Sequence, residues 1–389
     1  MKTNTFTREP KGKRPIIAIC YDFDKTLSPT DMQAQGYIQS VNYDVQTFWQ
    51  ESNALADQNE MDQNLAYMLK MVQEAEGNFV FNRTALEEYG SKVKLFPGVE
   101  DWFSRINDYA DKQNILVEHY IISSGLKEMI EGTAVAKQGV FKKIYASSFY
   151  YNDKGVAEWP AQVVNFTGKT QYLFRISKGV LDVNDPGVND HFRPEEIRIP
   201  FRNIVYIGDS DTDIPCMKLV TSNGGHSIGV YDSESKDKSK VQKMIHDSRI
   251  SYYAAADYRD GKELDCIVKA IIDRTSKNEQ LIELQTKYEV ETQKAYSNIS
   301  IEDQKRRDMI WSLENSSSFT ATHTIISKMR NIKGWKKEER ENLYAIAINN
   351  NQVGWIITDR DVKSFYKHLL SYEKELSEHA SRIKKLIET

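Results

Sequence analysis

The chain predicts an α/β fold: a doubly wound, mostly parallel sheet with a helical insertion after its first strand and an all-helical C-terminal region. Three observations predict it. Short apolar runs recur without polar alternation and stop at polar residues, as strands buried on both faces do. Segments of helical periodicity separate those runs, and alternation of strand with helix builds a parallel sheet. Beyond about residue 275 the strand signals cease and only helical stripes continue.

In chain order, the first run is "IIAICY" at 16–21, ending at Asp22. Residues 29–95 then interrupt the alternation. Within them "DQNLAYMLKMVQEAEG" sets Leu65, Met68, Leu69 and Val72 at helical spacing ahead of Gly77. "VEDWFSRINDYA" follows, with Trp102, Phe103, Ile106 and Tyr109 on one helical face. The run "HYII" stops at Ser123, "NIVYIG" at Asp209 and "SIGVY" at Asp232. Between them lies 181–201, rich in Pro, Gly, Asn and Asp, which reads as a loop. In the tail, Leu281, Leu284 and Tyr288 form one stripe, and Leu343, Ile346 and Ala347 another; both read as core. The last helix is expected to start at a capping box, Thr358 to Asp361, and to run on through Val362, Phe365, Tyr366, Leu369, Leu376, Ile383 and Leu386. The expected organisation is a core of 14–28 and 96–275, an insertion of 29–95, and a helical domain of 276–389.

Composition narrows the function. With 389 residues, 40% of them hydrophobic and a net charge of −4, the chain can build a large core but carries no basic footprint for a nucleic-acid backbone. Three cysteines without CxxC spacing, Cys20, Cys216 and Cys266, suit a reducing compartment, so the cytoplasm is the expected location. Cys20 and Cys216 read as buried packing residues, and His226 as structural. The basic N-terminus lacks the apolar stretch of a signal peptide, and no window has 18 uninterrupted apolar residues, so no membrane span is expected.

The chemistry concentrates at the ends of the apolar runs, where ligands bind in open α/β sheets. "YDFDKTL" puts Asp22 and Asp24 two apart, so both face one site only if the chain bends just past the strand. Like charges in that position need a cation, a reaction to perform or water to dilute their repulsion, and a hard cation with oxygen ligands, such as Mg²⁺, would neutralise them. "IGDSDTD" adds Asp209 and Asp213, with Gly208 allowing a tight exit. Ser123, Ser124 and Gly125 offer hydroxyls and backbone N–H groups suited to an anion.

D-x-D-x-T, a strand ending in Ser, a Lys and G-D-x-x-x-D, in that order over roughly 14–275, resemble the haloacid dehalogenase superfamily of phosphatases. The closest pattern is its phosphoserine phosphatase-like branch. The resemblance implies a HAD-like sheet with a helical cap at 29–95 and a Mg²⁺-dependent phosphomonoester hydrolase working through an aspartyl-phosphate. It implies Asp22 as nucleophile and Asp24 as general acid and then base. Mg²⁺ would be held by Asp22, by Asp24 through its backbone, and by Asp209, with Asp213 supporting them. Thr26, Ser123 and Ser124 fall on the loop and phosphate-binding positions. Lys169 is the favoured phosphate-binding lysine and Lys178 the other candidate. Asp31 stands where the branch has a glutamate for the substrate's ammonium group. The "DKT" of the cation-pumping ATPases continues Gly-Thr, whereas Leu27 and Ser28 follow here. The expected partner is a small phosphorylated metabolite, with a nucleotide or nucleic-acid end as the alternative. The helical tail leaves room for a protein partner, self-association or a sensor role.

Overall fold

The computed structural model describes residues 6–235, 237–297 and 299–388. They form two compact units, Met1–Leu281 and Ile282–Thr389. The first is built on a seven-stranded sheet of β1 (Ile16–Tyr21), β2 (Leu116–Leu126), β3 (Phe141–Tyr151), β4 (Ala157–Gln162), β5 (Ile204–Gly208), β6 (His226–Tyr231) and β7 (Tyr252–Ala255). Their order is β4-β3-β2-β1-β5-β6-β7. All pairings are parallel except β3 with β4, which close an antiparallel hairpin that the apolar runs did not announce.

The all-buried run of β1 is explained by the layers on either side. Ile17, Ile19 and Tyr21 face one core, shared with Trp102, Phe103 and Ile106 of helix Val99–Lys112. Ile16, Ala18 and Cys20 face the other, shared with Leu173 and Ile176 of helix Thr170–Lys178 and with Cys216 and Met217 of helix Ile214–Ser222. From β1 the chain moves outward through β2, β3 and β4, then returns to β5 on the other side. That reversal opens a crevice at the carboxyl ends of β1, β2 and β5.

The segment between β1 and helix Val99–Lys112 is helical, with Val45–Gln58, Gln63–Ala75 and Arg83–Gly90 as its main pieces. Asp44, Asp62 and Asn82 cap them by accepting N–H bonds from Thr47, Asn64 and Ala85 at 2.8–2.9 Å. In Gln63–Ala75 the buried residues are Asn64, Ala66, Tyr67, Met68, Lys70, Met71 and Ala75, and Leu65, Leu69 and Val72 are only partly covered. The stripe is turned one position because polar anchors set it. Asn64 Nδ2 donates to the Val164 carbonyl (2.9 Å), and the Tyr67 hydroxyl to the Ser124 carbonyl (2.9 Å).

The loop 181–201 contains short 3₁₀ turns and is tied down by two side chains. Arg175 donates to the carbonyls of Asp182, Val183 and Asp185, and Lys178 to those of Val188 and Asp190.

In the second unit, Leu313, Ile326, Leu343, Tyr366 and Ile383 share one core. Leu343, Ile346 and Ala347 are buried, but Leu281, Leu284 and Tyr288 on helix Glu263–Ser297 are exposed. Helical spacing gives a stripe but supplies no surface to cover it. The expected final helix is two, Arg360–Leu370 and Glu378–Glu388, and Leu376 and Leu386 are exposed. The break is anchored on helix Lys337–Asn349. Glu373 accepts from Arg340 (2.7 Å) and Tyr344 (3.2 Å), while Ser377 donates to Glu341 (2.6 Å) and receives the Ala380 N–H (3.1 Å). No capping box forms at Thr358–Asp361. Asp359 holds the N-cap without a side-chain cap bond, and Asp359 and Asp361 flank the His323 ring instead.

Beneath the crevice, a buried polar chain links β1 to its neighbours. Trp102 Nε1–H donates to the Tyr21 hydroxyl (2.9 Å), which bonds His119 Nδ1 (3.0 Å), and His119 Nε2–H reaches Asn107 Oδ1 (3.0 Å). These bonds need a neutral ring, and burial lowers His119 from 6.5 to about 3. Below about pH 6.5 the unfolded chain takes up a proton that the folded chain refuses, so this stabilisation is lost as pH falls. Chemical denaturation at pH 6.5 and pH 5 should show the parent losing about 1.5 kcal/mol more than His119→Gln. Parallel losses would show that His119 does not titrate on unfolding.

Candidate active site

The site begins where β1 stops. The Asp22 N–H still bonds the Ile207 carbonyl across to β5 (2.9 Å). The chain then folds sharply: the Phe23 carbonyl accepts from Leu27 (2.8 Å) and Ser28 (3.1 Å), and Lys25 takes the left-handed region at φ 58°. This bend lets Asp22 and Asp24 line one cavity. Asp24 Oδ1 accepts the Met32 N–H (2.8 Å), which fastens the start of the insertion to the loop. The approach is close, since a Cβ on Gly125 would lie 2.4 Å from Met32 Cε and 2.9 Å from Asp24 Oδ2. Thr26 is buried away from the cavity lining; its carbonyl accepts from the Tyr258 hydroxyl (2.8 Å) and its Oγ1 has no partner.

β2 does not stop at Ser123. It continues to Leu126 with a register slip against β3 between those residues, so the backbone bulges at the crevice. Ser123 Oγ accepts the Gly125 N–H (3.1 Å). Ser124 Oγ is buried without a partner, and both serines line the cavity.

Lys169 closes a 3₁₀ turn, Phe166–Lys169, just before helix Thr170–Lys178, and is fully buried. Its Nζ lies 2.7 Å from Asp213 Oδ1, 3.2 Å from Asp22 Oδ1 and 3.4 Å from Thr212 Oγ1. Lys178, at the far end of that helix, is spent on the 181–201 loop. Asp213 is completely engaged: the Tyr206 hydroxyl also donates to Oδ1 (2.9 Å), and the Ser210 N–H and hydroxyl to Oδ2 (3.1 and 2.9 Å). Gly208 makes room for it, because a Cβ there would stand 2.6 Å from Asp213 Oδ2. Asp209 is different. Among the described residues its Oδ1 is buried with no partner, and Oδ2 meets Lys240 at 3.6 Å.

The electrostatics follow from crowding in a dry place. Burial, then Asp213, pushes Asp22 up to about 6 against the pull of Lys169. Burial, then Asp31 and Asp22, holds Asp24 well above the usual carboxylate range. Burial, then Asp213 and Asp22, lifts Asp209 to about 7. Burial alone would lower Lys169, but the carboxylates of Asp213 and Asp22 keep it above its ordinary value and therefore charged.

Carboxylate oxygens of Asp22, Asp209 and Asp213 lie within 4.8 Å of one another, a spacing that can hold a metal ion. The donor set is hard oxygen, and the orphaned Asp209 Oδ1 is the atom a cation would satisfy. Asp213, already engaged on both oxygens, fits better as the group that orients Lys169 and the loop. Asp31 lines the cavity but is paired with Lys25 (2.9 Å). His226 is buried and Cys20 and Cys216 are packed inside, as the sequence suggests. The sequence reading missed Gln33, Trp49, Asn64 and Tyr67, which the insertion brings to the same cavity. No local motif marks them; position after the first strand was the sole clue.

The family profile described as haloacid dehalogenase-like hydrolase matches residues 19–218, just over half of the chain. The chain belongs to this family. The hydrolase is 28% identical over 279 residues to an uncharacterized protein of Borreliella burgdorferi, a match covering 64% of this chain and 94% of that one. Among solved structures it is similar to a HAD family hydrolase from Salmonella enterica serovar Typhi, with 16% identity, a TM-score of 0.45 and coverage of 67% of this chain and 72% of that one. A probable phosphoserine phosphatase from Vibrio cholerae, unliganded, aligns with 12% identity and a TM-score of 0.43, covering 69% and 68%.

If Asp209 needs a cation, MgCl₂ added to the chelator-treated hydrolase should raise the thermal midpoint of the unit carrying the site by roughly 5 °C near saturation. Asp209→Asn should lose most of that shift in scanning calorimetry. An equal shift in both proteins would remove Asp209 from the metal site.

Proposed function

We propose that this hydrolase cleaves small phosphomonoesters with Mg²⁺ through an aspartyl-phosphate on Asp22. The observation that carries the reading is Lys169. Its buried ammonium joins Asp22 to Asp213, and Asp22 in turn lines a cavity of about 330 Å³ together with Asp24 and Asp209. A cluster of one fixed cation, several acids and free hydroxyls suits phosphoryl transfer, in which positioning and charge neutralisation do most of the catalysis.

An oxygen of Asp22 attacks phosphorus, forming the Asp22–phosphoryl bond as the bond to the leaving oxygen breaks. Asp24, whose protonated form is favoured by burial and by the neighbouring Asp31 and Asp22, gives its proton to that oxygen. Asp24 then takes a proton from water, whose oxygen attacks phosphorus and releases Asp22 and inorganic phosphate. Ser123, Ser124 and Lys169 are the groups for the phosphoryl oxygens. Asp22 and Asp209 would hold Mg²⁺, which supplies positive charge to the phosphoryl group when bound. Thr26 serves the loop from behind, and Asp31 pairs with Lys25 through Oδ1.

In this reading 14–28 and 96–275 form the catalytic core and 29–95 a cap that excludes water, while the helical domain expected at 276–389 begins instead at Ile282, inside helix Glu263–Ser297. A cytoplasmic setting agrees with the free cysteines.

Asp22→Asn should lower kcat with phenyl phosphate by about 10³-fold or more. In the phosphorylation step, read as single-turnover release of the leaving group, Asp24→Asn should cost about 10²- to 10⁴-fold with an alkyl phosphate and less with p-nitrophenyl phosphate, whose leaving group needs no proton. Full activity in Asp22→Asn would refute the mechanism, and equal losses with both leaving groups would refute the acid role of Asp24.

A further inference from the structure

Four of the buried polar atoms without a partner belong to residues that line one cavity: Asp209 Oδ1, Ser124 Oγ, Gln33 Oε1 and Trp49 Nε1. An unmet buried donor or acceptor carries a full desolvation penalty, so its persistence in one place marks a ligand's position. The first two belong to the phosphoryl end. Gln33 and Trp49 come from the insertion, which lines the same cavity from the other part of the chain.

Their chemistry is selective. Gln33 Oε1 needs a donor, and Trp49 Nε1–H needs an acceptor. A carboxylate only accepts and an ammonium group only donates, whereas hydroxyls do both. Among the described residues lining the cavity, the cation is Lys25, already paired with Asp31, and no arginine is present to receive a carboxylate. The exposed amides of Asn53 and Gln63 add further neutral donors and acceptors. Trp49 is held edge-on to Tyr67 and Phe48, with centroids 5.7 and 5.5 Å apart, which holds the ring in place.

We propose that Gln33 and Trp49 are specificity residues that select a neutral, hydroxyl-bearing leaving group, so that the substrate is a phosphorylated polyol or sugar and not a phosphorylated amino acid. This rests on the phosphatase reading and goes beyond it by naming the substrate class. Gln33 accepts from one hydroxyl of the leaving group, and Trp49 donates to another.

The test compares kcat/KM of the parent, Gln33→Leu and Trp49→Phe on sorbitol 6-phosphate, phenyl phosphate, O-phosphoserine and cytidine 5′-monophosphate, with circular dichroism melts to verify folding. The parent should prefer sorbitol 6-phosphate to O-phosphoserine and to cytidine 5′-monophosphate by about tenfold or more. Each variant should lower the ratio of sorbitol 6-phosphate to phenyl phosphate by about five- to tenfold, mainly through KM. A preference for O-phosphoserine or the nucleotide, or an unchanged ratio in both variants, overturns the proposal while leaving the phosphatase reading standing. Failure of the parent on every ester, phenyl phosphate included, overturns both.

Discussion

The buried ammonium of Lys169, held between Asp22 and Asp213, is the interaction on which the site depends. Three distant stretches meet there: the end of β1, the turn before helix Thr170–Lys178, and the turn after β5. Burying such charges is costly, and an apolar replacement of like volume would often serve stability as well or better. The cost is offset here by completion. Asp213 receives Lys169, Tyr206 and Ser210, so no charge in the pair is left alone. Gly208 is part of the same arrangement, since a side chain there would occupy the place of the Asp213 carboxylate.

The rest of the crevice is the opposite case. Asp209, Ser124, Gln33 and Trp49 carry buried polar atoms without protein partners. A fold that satisfies Asp213 three ways leaves these four unmet around one cavity, and the contrast separates the groups that build the site from those that await a ligand. The insertion is fastened to this boundary by Asp24 to Met32 and by Tyr67 to the Ser124 carbonyl. Movement of the insertion would therefore be felt directly at the proposed general acid and at the bulge proposed to bind phosphate.

Much of this was legible in the residues. β1 and β5 read as strands because both faces are covered, and their carboxyl ends carry the acids the chemistry needs. Lys169 and Lys178 sit at opposite ends of one short helix, and only the fold separates a lysine bonded to Asp22 and Asp213 from one holding a loop. The β3–β4 hairpin was hidden because "FKKIYASSFYY" lacks a plain apolar run, and the strand pairs through a slipped register. Gln33 and Trp49 were invisible because what distinguishes them is a missing partner, a property of the folded surroundings. The break at 371–377 escaped for a related reason: Glu373 and Ser377 end and restart the helix through partners on Lys337–Asn349.

The central claim is that Asp22 takes the phosphoryl group. The direct measurement is a rapid acid quench of Asp24→Asn mixed with p-nitrophenyl phosphate, followed by borohydride reduction and peptide mass spectrometry. Because that variant keeps the nucleophile and lacks the base for the second step, the account predicts phosphorylated protein whose reduction converts residue 22 to homoserine. Label on another residue, or a burst of p-nitrophenolate with no covalent phosphoryl group, would contradict it.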